Sequence, residues 1–234
     1  MKSASANAQS KRLVGRKAAD FVKDGMQIGI GTGSTVAFFI EELGHRVRQG
    51  WQIRGAATSY YTRLLCHRSG VPMMDSMTLD HLDLAVDGAD EIDPFLNAIK
   101  GGGAAHTCEK VIASMADEFI LIADESKLVS GLCTHHPLPV EVIPAALSLA
   151  EKRVRSLGGT PCIRRAVCKD GPVITENGNF ILDITFQTAP EDLELLNIQL
   201  KKIPGLLETG LFLGMAKKAL IGSADSVRVL LPEA

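Results

Sequence analysis

Strand-like and helix-like apolar patterns alternate through the first half of the chain. Leu13, Val14, Ala18, Phe21 and Val22 recur at helical spacing within Lys11 to Lys23. The run Met26 to Ile30 predicts a short strand, which feeds Gly31-Thr32-Gly33-Ser34-Thr35 and a helix from about Thr35 to Leu43. Gln52 to Ala57 predicts a second strand, Tyr60 to Arg68 a helix, and Val71 to Met74 a short strand after Gly70. Leu82 to Val86 is apolar apart from Asp83 and predicts a buried strand. A helix over Ala104 to Ala116 and a buried strand over Glu118 to Ala123 complete the series. Such alternation implies an α/β fold with a doubly wound, mostly parallel sheet and right-handed crossovers. Ligands in these sheets sit beyond the carboxyl ends of the strands. The loops at Gly31, Asp87 and Ala123-Asp124 each follow a predicted strand, so they are expected to meet at one rim.

The pattern changes near Pro137. Pro137, Pro139 and Pro144 bracket a short apolar run, Val140 to Ile143, and a helix over Ala145 to Leu157 is predicted to end at Gly158-Gly159. Two short strands are expected to flank Asn177-Gly178-Asn179, a hairpin signal. Leu193, Leu196 and Leu200 share one face of a helix over Pro190 to Lys202, stopped by Pro204-Gly205. Residues 134–204 therefore read as a smaller inserted α+β domain, and 1–133 with 205–234 as the main one, the chain returning as strands near Leu206 and Val227.

Composition narrows the function. The 25 basic and 27 acidic residues are interleaved, with a net charge of −2 and no basic stripe. That argues against nucleic-acid and membrane surfaces and for a small-molecule ligand. Wholly apolar runs such as Phe119 to Ala123 fall far short of a membrane span. MKSASANAQSKR lacks the apolar stretch of a secretion signal and reads as a frayed tail, so a cytoplasmic location is the expectation. The five cysteines form no CxxC pair, and an odd number argues against a disulfide framework. The adjacent His135-His136 reads as loop surface, with metal binding the lesser alternative.

The chemistry concentrates in DGADEIDPFLNAIKGGGAAHTCEK, Asp87 to Lys110. Asp87, Asp90, Glu91 and Asp93 crowd one strand end, followed by Lys100, the triple glycine Gly101, Gly102 and Gly103, and then Glu109. The carboxylates alone admit three readings: a capped turn, a site for a hard cation, or a sugar site whose carboxylates grip hydroxyls and move protons. Lys100 with three glycines favours a ligand site, since close backbone approach is a reason to keep such costly residues. Glu109 sits among apolar neighbours Ala104, Ala105, Val111 and Ile112 near the mouth of the glycine turn; an isolated Glu-Lys better suits a surface glutamate paired with a lysine. The Gly29 to Ser34 stretch has neither the third glycine of a dinucleotide turn nor the closing lysine of a Walker loop. What remains is a glycine turn with Ser34 and Thr35 at a helix N-terminus, suited to a phosphate, or else a tight turn with Ser34 as N-cap.

Several of these motifs together resemble ribose-5-phosphate isomerase of the A type. They are Thr32-Gly33-Ser34-Thr35, Thr58-Ser59 with Thr62, Asp87-Gly88-Ala89-Asp90-Glu91, Lys100 to Gly103, Glu109-Lys110, Ala123-Asp124 with Lys127, Pro137 to Val142, and Asn177-Gly178-Asn179. They fall in family order from about Lys11 onward. The resemblance implies a Rossmann-like catalytic domain and interconversion of ribose 5-phosphate and ribulose 5-phosphate, in the non-oxidative branch of the pentose phosphate pathway. It implies no metal and no organic cofactor. Glu109 would carry the proton between C2 and C1. Asp87 and Asp90, with Gly88 and Ala89, would bind the sugar and assist ring opening. Lys100 and the Gly101 to Gly103 backbone would stabilise the enediolate. Thr32, Gly33, Ser34, Thr35 and Lys127 would hold the substrate, and Lys11 is a further candidate for the phosphate. Homodimers or tetramers are implied, with the small domain contributing to assembly. Four positions depart from the family pattern: His106 and Cys108 replace leucine and arginine before the glutamate, Cys133 replaces a glycine, and Glu176 an aspartate.

Two rivals share parts of the pattern. A sugar-phosphate-sensing effector domain would carry the same glycine turn, but only about ten residues here precede the first predicted helix, too few for a DNA-binding helix-turn-helix. A sugar-phosphate deaminase or a CoA transferase uses a related scaffold. Neither accounts for Asp87, Lys100 and Glu109 together.

Overall fold

The computed structural model describes residues 2–233. In chain order, α1 (Lys2–Ala19), β1 (Gln27–Ile30), α2 (Ser34–Arg48), β2 (Arg54–Ala57), α3 (Tyr60–Ser69) and β3 (Leu82–Asp87) come first. The two-residue strands β4 (Glu91–Ile92) and β5 (Ala98–Ile99) precede α4 (His106–Met115) and β6 (Ala116–Asp124). Next come β7 (Leu138–Val142), α5 (Leu147–Ser156), β8 (Thr160–Ile163), β9 (Phe180–Thr185) and α6 (Leu193–Lys201). The chain closes with β10 (Leu206–Thr209), β11 (Leu211–Phe212), β12 (Lys218–Gly222) and β13 (Val227–Leu230).

The apolar runs build a six-stranded sheet in the order β13-β12-β6-β3-β1-β2, with every pair parallel except the antiparallel edge β12–β13. The expected doubly wound, mostly parallel architecture is present. Strand periodicity explains why both faces are covered. On β6, Ile120 and Ile122 enter a core with α1, α2 and α3, where Val14, Phe39, Leu43 and Cys66 are buried. Phe119, Leu121 and Ala123 enter the opposite core with Ile112 and Ala113 of α4. Each fully buried leucine, isoleucine or phenylalanine contributes roughly 1.5–3 kcal/mol relative to exposure, so these two layers fix the strand ends that carry the site.

A four-stranded antiparallel sheet, β10-β7-β9-β8, packs with α5 and α6 around a third core. Strand β10, at Leu206, belongs to this sheet rather than to the main one, so the sheet runs past residue 204. Its pairing with β7 explains why: Leu206 meets Val142 and Thr209 meets Val140, closing an otherwise open edge. The small sheet β11-β5-β4 joins the units, since Ile99 and Leu211 enter the third core while Ala98 and Phe212 enter the second.

Three local expectations change. Helix α1 extends back through the segment expected to fray, because Ser10 is buried against Gly222 of β12, where a Cβ would lie 2.5 Å from the serine hydroxyl. It also stops at Ala19, before Lys23. Val71 to Met74 forms no strand: Met73 makes an isolated bridge to Gly55, and Pro72 has no N–H with which to extend a ladder. At Asn177-Gly178-Asn179 the turn forms, with Gly178 N–H donating to Thr175 O (2.9 Å), but its first arm shrinks to a bridge between Ile174 and Phe180. Among the described residues no helix is long and apolar enough to cross a membrane.

Candidate active site

The carboxyl ends of β1 and β3 are locked to each other through Asp87. Gly31 N–H donates to Val86 O (3.0 Å), and a Cβ at Gly31 would fall 1.9 Å from the Asp87 carboxyl carbon, so glycine is required there by close approach. Asp87 Oδ1 accepts from Gly88 N–H (2.7 Å) and Thr32 N–H (3.1 Å). Thr32 in turn sits in a knot of hydroxyls. Its Oγ1 donates to Ser59 Oγ (2.7 Å) and lies 2.8 Å from Thr58 Oγ1 and 3.0 Å from Thr62 Oγ1. Thr62 Oγ1 donates to Gly31 O (2.7 Å). The Thr58-Ser59 and Thr62 motif therefore anchors the glycine turn from below.

That turn opens α2 without a side-chain cap. Gly33, at φ 146°, occupies the N-cap position and Ser34 is already helical, so the serine does not cap the helix. First-turn N–H groups are thus left for another acceptor, beside the positive end of the helix dipole. Ser34 is exposed and Thr35 buried at this end.

The facing wall comes from β5 and α4. Lys100 leaves β5 fully buried, and its Nζ lies 2.8 Å from Asp87 Oδ2 and 3.0 Å from Glu109 Oε2 while donating to Gly88 O (2.7 Å). Glu109 is only 4% exposed because α4 turns His106, Glu109, Ile112 and Ala113 inward together. Val111, expected on the buried face, is instead exposed. Glu109 does not pair with Lys110, whose Nζ donates to Thr209 O (2.7 Å) and Glu208 Oε1 (2.9 Å) on β10.

Two carboxylates and one ammonium, all out of water, set the electrostatics. Burial and the neighbouring Asp87 charge push the Glu109 carboxyl up to about 8, against the opposing pull of Lys100. Burial likewise raises Asp87 above the usual carboxylate range although Lys100 opposes it. Burial works against the Lys100 ammonium, but Asp87 and Glu109 outweigh it and hold its pKa above the ordinary lysine value. Lys100 therefore stays charged while Glu109 is held well above the usual carboxylate range.

Lys100 and Glu109 border a cleft of about 240 Å³. It is lined by Thr32, Gly33, Ser34 and Thr35 on one side and by Gly88, Ala89, Asp90, Lys100, Gly101, Gly102, Gly103 and Glu109 on the other. Lys11 of α1 and Lys127, just beyond β6, complete it. Asp87 stands behind Lys100. The structure thus brings every candidate residue to one rim.

The crowded carboxylates divide by role. Asp90 Oδ2 accepts from Gly102 N–H (2.8 Å) at the cleft. Glu91 points the other way, accepting from Cys133, His135 and His136 N–H (2.6, 2.5 and 2.7 Å), and Asp93 closes a turn with Asn97. Only Glu91 lies on β4; Asp90 sits in the bend before it and Asp93 just after it. No group of three or more His, Cys, Asp or Glu residues among the described ones is placed to hold a metal ion.

Other motifs find structural partners. Glu141 of β7, only 1% exposed, accepts from Thr107 of α4 and from Thr175 Oγ1 (2.8 Å), Asn177 Nδ2 (3.1 Å) and Asn179 Nδ2 (2.8 Å). Burial raises its pKa, and these hydrogen bonds more than reverse the effect. This carboxylate clamps the Asn177-Gly178-Asn179 turn to the helix carrying Glu109. Cys133 adopts φ 64°, the left-handed region that favours glycine. Glu176 accepts from Tyr60 N–H (2.6 Å) at the start of α3. His106 is buried, its pKa lowered by burial to about 4, and it lines the back of the glycine loop beside Gly101 rather than the cleft. Arg164 is a contact the sequence did not signal: its Nη1 donates to Gly101 O (2.7 Å) and Gly102 O (3.1 Å).

The arrangement offers a buried carboxylate held above the usual carboxylate range, a fixed ammonium beside it and an uncapped helix end for an anion. Comparison with known proteins identifies relatives of the chain. The family model for ribose 5-phosphate isomerase A (phosphoriboisomerase A) matches residues 54–226. Ribose-5-phosphate isomerase A of Methanosarcina acetivorans is 48% identical over 222 residues, covering 94% of this chain and 93% of the relative. That of Thermosynechococcus vestitus is 46% identical over 216 residues, covering 92% and 91%. The solved structure of ribose 5-phosphate isomerase A from Methanocaldococcus jannaschii superposes with a TM-score of 0.92 at 40% identity, covering 96% of this chain and 99% of that one. A D-ribose-5-phosphate isomerase in complex with phospho-erythronic acid gives 0.92 at 42% identity, covering 95% and 97%. The chain belongs to the ribose 5-phosphate isomerase A family.

Proposed function

We propose that the chain interconverts ribose 5-phosphate and ribulose 5-phosphate through an enediolate, with Glu109 as the single base. The observation that carries this is the buried Asp87–Lys100–Glu109 group facing an uncapped helix end across one cleft. The substrate phosphate takes the N–H groups of Ser34 and Thr35 with their hydroxyls, and Lys11 and Lys127 supply positive charge. Asp87 and Asp90 hold the sugar hydroxyls and exchange the ring proton during opening. Glu109 removes the C2 proton and returns it to C1. Negative charge developing on the two oxygens is met by Lys100 and the N–H groups of the glycine loop. A base whose pKa lies near the working pH transfers a proton efficiently in both directions, as burial beside Asp87 provides. The relatives cover this chain nearly end to end as isomerases, and nothing in them favours the sensor, deaminase or transferase readings.

Residues of the four-stranded sheet unit, centred on 134–204, support the site through Glu141 and contribute to a homodimer or tetramer in this proposal. A coupled assay with ribose 5-phosphate tests the activity. Phospho-erythronic acid, whose carboxylate stands in for the enediolate oxygens, is expected to compete with substrate. Absence of turnover with folded protein would overturn the proposal.

A further inference from the structure

Arg164 lies outside the cleft but is bonded to the loop that forms its wall. We infer that Arg164 is a positioning residue for the oxyanion side of the site, holding the Gly101 and Gly102 carbonyls so that Gly102 N–H stays on Asp90 and Gly103 N–H faces the substrate. The inference rests on the isomerase reading above. A trans peptide places C=O and N–H on opposite sides. Fixing Gly101 O therefore fixes Gly102 N–H, and fixing Gly102 O fixes Gly103 N–H. Gly102 N–H aims at Asp90 Oδ2 (2.8 Å), which marks the cleft side of that peptide. Gly103 N–H makes no hydrogen bond among the described residues, and Gly103 lines the cleft.

Restraint is needed here. Gly101 has φ 111° and Ala104, a residue with a Cβ, has φ 58°, so the loop holds two left-handed positions within four residues. His106 and Pro139 press on Gly101 from behind, each 2.7 Å from where a Cβ would sit. Arg164 supplies the remaining constraint and is itself fixed. Its Nε donates to Asp183 Oδ2 (2.8 Å) and its Nη2 to Asp183 Oδ1, a two-point fork anchored on β9. The guanidinium thus spans from β9 to both carbonyls through one nitrogen, which an ammonium cannot reproduce while keeping the fork. A charged donor on each carbonyl also polarises its peptide, strengthening the N–H on the far side.

The test compares Arg164→Met, Arg164→Lys and Asp183→Asn with the parent. Steady-state turnover of ribose 5-phosphate is measured alongside the affinities for phospho-erythronic acid and for inorganic phosphate. Loss of an oxyanion donor typically costs about 10²–10³-fold in kcat, so Arg164→Met, which misaligns donors without deleting them, should lose about 30- to 300-fold in kcat with KM changed less than about threefold. Its affinity for phospho-erythronic acid should fall at least about tenfold while that for inorganic phosphate stays level. Arg164→Lys should recover little, and Asp183→Asn should shift the same quantities less far. Should Arg164→Met fail to fold, the other two variants decide. The inference is overturned if kcat and analogue affinity stay within about threefold of the parent. It is equally overturned if analogue and phosphate affinity fall together with the melting temperature, the mark of a merely structural tie. Lys100→Met separates the two levels: an active Lys100→Met variant sinks the reading of the loop, whereas an inactive one beside active Arg164 variants sinks only the role given to Arg164.

Discussion

Replacing Glu109 with glutamine should abolish turnover and, at the same time, stabilise the protein at alkaline pH. The side chain is almost isosteric and α4 keeps its packing against Ile112 and Ala113. Glutamine cannot accept the C2 proton, and a positioned base is typically worth about 10²–10⁴-fold, so kcat should fall by at least about 10³-fold with one group serving both transfers. Exchange of the C2 proton with solvent deuterium should disappear with it. The stability effect follows from the same burial. Burial and the Asp87 charge push Glu109 up to about 8 in the folded chain, above the ordinary glutamate value of 4.5. A group whose folded pKa is raised contributes its full stability below the unfolded value and loses it as pH rises through the folded value. Parent stability should therefore decline across that window relative to Glu109→Gln, which does not titrate. The two melting temperatures should nearly coincide near pH 4 and separate by pH 9, the variant melting higher. The checks are NMR exchange, a coupled assay and thermal melts at both pH values. Turnover within about tenfold of the parent, or a melting difference independent of pH, would refute the assignment of Glu109 as a buried base.

Thr35→Ala should weaken competition by inorganic phosphate and raise KM for ribose 5-phosphate, while binding of free ribose hardly changes; equal losses would remove Thr35 from the phosphate end. Glu141→Ala strips the buried partner from Thr107, Thr175, Asn177 and Asn179 and should cost about 3 kcal/mol or more in chemical denaturation; a loss below about 1 kcal/mol would show that the clamp is idle. Cys133→Gly relieves a left-handed residue at φ 64° and should stabilise by about 1 kcal/mol, the same melts reporting an error if it destabilises. Prolonged chelation should leave turnover unchanged, because Asp87 is already committed to two N–H groups and Lys100; recovery of lost activity by added Mg²⁺ would reinstate the cation reading.

Periodicity in the sequence determined the mostly parallel sheet of the first half and the rim where its loops meet, because apolar strands buried on both faces allow few other arrangements, but it gave no sign of β12. Lys100 and the three glycines marked a ligand site because such residues are costly unless used, while the roles expected of Asp87 and Glu109 came from the family resemblance. The division of labour among the carboxylates was not legible. Sequence neighbours Asp90 and Glu91 diverge because the chain bends at Asp90 before β4 starts at Glu91, one side chain reaching the cleft and the other the loop at Cys133. Glu109 beside a lysine suited a surface helix until α4 turned it inward and β10 drew Lys110 away. The helix start at Lys2, the loss of a strand at Val71 to Met74 and the reassignment of Leu206 to the second sheet were decided by packing between segments distant in the chain. Arg164 and Glu141 show the limit most plainly. Each acts on residues 34 to 63 positions away, through carbonyls and hydroxyls that carry no sequence signal, and only the packing of the second sheet against the glycine loop and α4 gives them a role.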